Sequence, residues 1–125
     1  MRLAGADRAL GAFACLSGLL GVAASAASAH MAGAESLKTA AQFLLFHAPA
    51  ILALIGLGAA GLLRAPLARG AAGLVAIGLC LFCGDLALRV LAGHPLFPMA
   101  APSGGFALMG GWLLGIVALL VPSRG

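Results

Sequence analysis

The stretch Gly70–Leu91, GAAGLVAIGLCLFCGDLALRVL, decides how this chain is read. A helix needs roughly 20 apolar residues at 1.5 Å each to cross the hydrocarbon core of a bilayer, and this stretch has that length. Yet Asp85 and Arg89 stand near its far end. The rest of the chain follows from asking what such a helix packs against.

Composition makes lipid the main solvent. Of 125 residues, 63% are hydrophobic and 8% charged, against about 25% charged in a soluble domain. Mean hydropathy is +1.16. So few charges cannot cover a water-facing surface. Four spans of about 20 residues fill the length, predicted at about 9–29, 40–63, 70–91 and 104–121. The expected fold is all-α, a single four-helix bundle integral to a membrane.

The first span is rich in Ala, Ser and Gly. Arg2 and Arg8, an apolar run and Ala27-Ser28-Ala29 also fit a cleaved signal peptide. A retained helix is favoured on two grounds. The apolar run exceeds a usual signal core, and Ser17, Gly21, Ser25 and Ala29 recur every fourth residue as a flat stripe for close helix contact. Thr39-Ala-Ala-Gln42 reads as a capping box opening the second span. Pro49 is expected to bend that span near its first turns. Arg64 to Arg69 forms a basic turn. Residues 92–103 form a proline-containing loop with His94. The fourth span carries Gly111-x-x-x-Gly115, a helix-packing motif.

The net charge is +4, and the basic residues are scattered singly. They read as topology signals and lipid-headgroup contacts, with no nucleic-acid patch. Arg2, Arg8, Arg64, Arg69 and Arg124 face Lys38 and Arg89 across the bilayer, which predicts both termini in the cytoplasm.

Depth along each helix then predicts a polar cluster in the non-cytoplasmic leaflet. His47 lies about 12 Å inside the predicted start of its span, Asp85 about 9 Å and Arg89 about 3 Å from the end of theirs. His30 closes the first span on that side. The remaining half reads as nearly pure Ala, Leu, Gly and Val. Asp85 and Arg89 share a helix face in the favourable order, acid first. An ionised Asp costs about 2.5–3.5 kcal/mol at a helix centre even on the lenient insertion scale, so it must be paired or wet. A self-neutralising pair that snorkels to the interface is the plainer reading, and a proton or ligand site the sharper one. For His47 the plainer reading is a hydrogen bond to a carbonyl or to Asp85; the sharper one is haem or metal ligation with His30 or His94.

Cys80-Leu-Phe-Cys83 is half a zinc site at most, and no metal centre is expected. In an apolar helix its thiols read as packing groups. Ser17 and Ser25 lack an activating base, so no catalytic residue and no enzyme is expected.

The chain resembles the small membrane proteins grouped as domain of unknown function 423, a family with YgdD-like and transmembrane protein 256-like members. The resemblance rests on Ala29-His30; on Thr39, Phe43, Phe46, His47 and Ala50; on Leu81-Phe82-x-Gly84; and on Pro102-x-Gly104-Gly105 with Gly111-Trp112. Asp85 and Arg89 depart from the family pattern, which has a small polar and an apolar residue there. The resemblance implies a four-helix bacterial inner-membrane protein and no particular reaction. Within these motifs, Pro102 suits a first helical turn. Gly104 and Gly105 would bring backbones close and offer free amides to an anion. Trp112 lies mid-span, packed between helices.

Three functions remain. The first is a structural or accessory subunit, a homo-oligomer or part of a larger membrane complex. The second is a small transporter or proton-handling protein using His47, Asp85 and Arg89. The third is an outer-leaflet site for a lipid headgroup, quinone or haem. No resident cofactor is expected under the first.

Overall fold

A computed structural model describes residues 3–123. Arg2 and Arg124, counted in the charge asymmetry, lie outside them. The described chain is four helices: α1 (Gly5–Ala29), α2 (Glu35–Ala59), α3 (Ala65–Leu91) and α4 (Ala100–Leu120). Each is long and apolar enough to cross a membrane. They run up, down, up, down, and each packs chiefly on its neighbours in sequence.

Every helix starts four or five residues before its predicted span, for a local reason. Glu35, Ala65 and Ala100 belong to loops by hydropathy, but their backbones are already helical. Thr39 is therefore not an N-cap. It sits one turn inside α2, where its hydroxyl donates back to the Glu35 carbonyl at 3.1 Å. Pro49 in turn falls mid-helix rather than in the first turns.

The connections are closed by specific backbone geometry. After α2, Gly61 takes φ +81°, which lets Leu62 N–H reach back to the Leu57 carbonyl at 3.0 Å. That left-handed step ends the helix, and Pro66 helps open the next. The C-terminal segment folds onto this turn: Arg64 Nε donates to the Pro122 carbonyl and Ser123 Oγ to the Gly61 carbonyl, each at 2.9 Å.

The α3–α4 seam is the tightest. Its buried positions, Ala71, Val75 and Gly78 on α3 and Gly104, Leu108 and Gly111 on α4, recur at alternating three- and four-residue steps. That is the spacing of helices meeting along a shallow left-handed seam. A Cβ on Gly104 would lie 2.5 Å from Phe82 N and 2.8 Å from the Gly78 carbonyl oxygen. The glycines thus let backbone touch backbone, which is how helices gain contact where lipid removes the hydrophobic drive. The stripe on α1 works similarly against α2, but only in part. Ser17 and Gly21 are buried, whereas Ser25 and Ala29 are exposed. Ala14, Ile51, Val75 and Leu108 bring all four helices to one core.

Candidate functional site

Among the described residues three polar centres lie in the bundle, each built from a different pair of elements. At the α3–α4 loop end, Asp85 is fully buried. Its Oδ2 accepts from Arg89 Nε at 2.8 Å and its Oδ1 from Leu96 N–H at 2.9 Å. The ion pair is local, set by the four-residue spacing. The bond to Leu96 is not local, and it makes Asp85 a staple for the loop into α4. Arg89 keeps half its side chain exposed, so the charge pair is buried at one end and reaches out at the other.

His47 sits deeper, where α2 passes α4. Nδ1 donates to the Phe43 carbonyl at 2.8 Å, and Nε2 accepts the Trp112 indole N–H at 3.0 Å. A carbonyl can only accept and an indole N–H can only donate. The two contacts together require the neutral ring with its proton on Nδ1. Phe43 stacks on the imidazole with centroids 5.6 Å apart and packs at a tilt against Phe82 at 4.5 Å, tying α2 to α3 as well.

The third centre is at the opposite end and was not legible in the sequence reading. Asp7 of α1 is buried and takes a bidentate grip from Arg69 of α3, Nε to Oδ1 at 2.9 Å and Nη2 to Oδ2 at 3.2 Å. That end is therefore not purely apolar. One signal was available: Asp7 is one of three acidic residues in the chain, at the end holding Arg8, Arg64 and Arg69.

The expected single cluster of His30, His47, Asp85 and Arg89 does not form. Because α2 begins at Glu35, His47 lies twelve residues in, about 18 Å along the helix and well below Asp85. It bonds Trp112 rather than Asp85. His30 caps α1 with its backbone, its side chain exposed. His94 is exposed in the loop and bonds the Pro95 carbonyl. With both nitrogens of His47 engaged, haem ligation would require breaking a bond to Phe43 or Trp112. Among the described residues no three His, Cys, Asp or Glu side chains converge as a metal site.

The motif of the fourth helix divides into separate roles. Pro102 stands in the first turn of α4, where a missing N–H costs nothing. Gly104 lies a full turn inside, so its amide, like that of Gly105, is committed to the helix and unavailable to an anion. Gly105 has open space around it. Gly111 packs on Val75, and a Cβ added to Gly115 would meet Leu54 of α2 at 3.8 Å. Trp112 is 52% exposed: its N–H points inward to His47 while much of its ring faces outward. Cys80 and Cys83 diverge. Cys80 is exposed, and buried Cys83 donates to the Ala40 carbonyl at 3.5 Å.

No curated protein and no solved structure matches the chain. A family model described as "Protein of unknown function (DUF423)" matches residues 9–105. The match runs from the first helix through Pro102, Gly104 and Gly105, and stops short of Gly111 and Trp112. It covers well over half of the sequence, and on it the chain belongs to the DUF423 family of proteins of unknown function.

Proposed function

We propose that the protein is a non-catalytic accessory subunit of a bacterial inner (plasma) membrane, crossing it four times with both termini in the cytoplasm and assembling with itself or a larger complex. One observation carries this reading: among the described residues, no buried side-chain nitrogen or oxygen lacks a hydrogen-bond partner. Asp7, Asp85 and His47 are spent on holding helices and a loop together. The two ion pairs lie at opposite ends, with one neutral imidazole between them. A transport or proton path would need a continuous polar line, and these groups do not supply one.

The outer faces support assembly. Leu16, Leu19 and Val22 of α1 and Phe106, Met109 and Leu113 of α4 are exposed. These two helices flank the bundle, free to meet lipid or another subunit. The small-residue seam between α3 and α4 is consumed inside the chain, so association through α4 would use these larger side chains. Arg8, Arg64 and Arg69 at one end against Lys38 and Arg89 at the other favour the stated orientation.

Crosslinking in native membranes, followed by native mass analysis in mild detergent, tests the reading. A defined oligomer or a stoichiometric partner is expected. A strict monomer in both settings would overturn it. Proteoliposome flux abolished by Asp85→Asn or His47→Ala would establish the transporter instead.

A further inference from the structure

A groove of about 520 Å³ opens between α1 and α3, with α2 as its floor. Phe13 and Leu79 mark its deep end, and Ala27, Leu37 and Leu91 its mouth. It exists because α1 and α3 share few contacts, and the ion pair that joins them, Asp7 with Arg69, lies at the far end. Its α1 wall is also made of small residues, Ala23, Ala24 and Ala27. None of His30, His47, Asp85 or Arg89 lines it, so it is separate from the polar centres.

We infer that this groove holds one acyl chain of a phospholipid from the leaflet on the α1–α2 loop side. The lining is apolar side chains and two thiol-bearing ones, Cys80 and Cys83, with no group to recognise a polar ligand. The length suits a single tail. The groove follows α3 from Leu79 to Leu91, about 18 Å, close to half of a hydrocarbon core about 30 Å thick. The position selects a phospholipid. The groove runs from a loop end inward to mid-span and no further, the reach of a tail from one leaflet. At its mouth Lys38, beside Leu37, and His30, just past Ala27, stand where a phosphate headgroup would lie. Glu35 on the same rim offsets part of that charge, so the tail carries the recognition.

The test reconstitutes the full chain in phosphatidylcholine–phosphatidylglycerol vesicles containing a phospholipid with a photoactivatable group midway along one acyl chain. Labelled peptides are mapped after irradiation. Labelling of the groove segments is expected to exceed that of the exposed α4 face, Phe106 to Leu113, several-fold. Ala24→Leu and Ala87→Leu, which fill the walls, should reduce it to the level of that face. Unchanged Trp112 emission confirms that each variant is folded, and a variant that fails this check is replaced by Ala27→Leu. Equal labelling of groove and α4 face in the native chain would overturn the inference. So would protection of the groove with crosslinks from Cys80 to a second copy. Labelling absent even from α4 would instead defeat the membrane-spanning reading, which this inference presupposes.

Discussion

Trp112 donates its indole N–H to Nε2 of His47 at 3.0 Å, joining α4 to α2 across residues 65 positions apart. Each residue lies twelve positions past the start of its helix. Two antiparallel neighbours of α3 descending from the same side bring those positions to one depth, so the bond follows from matched helix starts. It also fixes the imidazole tautomer, since the other nitrogen serves Phe43.

Loss of this bond should be measurable but modest. Interhelical hydrogen bonds in membranes average about 0.6 kcal/mol and reach about 1.7. Trp112→Phe and His47→Ala should each destabilise the protein by about 0.5–2 kcal/mol, with a double-mutant coupling near 1 kcal/mol. Unfolding in mixed micelles measures this. Trp112 is the only tryptophan, so His47→Ala should also shift the emission to the blue as the indole loses its acceptor.

Gly104 and Gly105 should respond in opposite ways to the same substitution. Gly104→Ala places a methyl group against backbone of α3 and should cost about 1–3 kcal/mol or more by forcing the seam apart. Gly105→Ala meets nothing within 4 Å and should be neutral or stabilising by up to about 1 kcal/mol through helix propensity. Parallel unfolding curves of the two variants provide the check.

Removing one partner of the Asp7–Arg69 pair should destabilise more than removing both. Arg69→Leu leaves the buried Asp7 carboxylate without its partner, while Asp7→Leu with Arg69→Leu leaves no orphaned charge. The expected ranking in unfolding midpoint is native chain highest, double variant next, Arg69→Leu lowest. A double variant no better than the single one would contradict it.

Asp85 should act on the loop more than on the helix. Asp85→Asn retains an oxygen for Leu96 N–H but not the ion pair with Arg89, whereas Asp85→Leu forfeits both. Hydrogen exchange at Leu96 should therefore quicken in Asp85→Leu well beyond any change in Asp85→Asn, with amides in the middle of α3 unaffected.

What could be read from the residues alone was whatever depends on neighbours in sequence. Hydropathy sums along a segment, so four apolar helices were legible. The spacing of Asp85 and Arg89 placed an ion pair on one helix face without reference to anything else. Helix starts were less legible, because Glu35, Ala65 and Ala100 are helical by backbone and not by hydropathy. Partners lying on different helices were decided only by how those helices cross. His47 offered two nitrogens to any side chain at its depth, and the register of α2 against α4 selected Trp112. Asp7 needed α1 and α3 to start at the same end before Arg69 could reach it. The small-residue stripes announced close contact, yet whether they faced another subunit or the chain itself depended on packing: α3 against α4 brought Gly78, Gly104 and Gly111 inside.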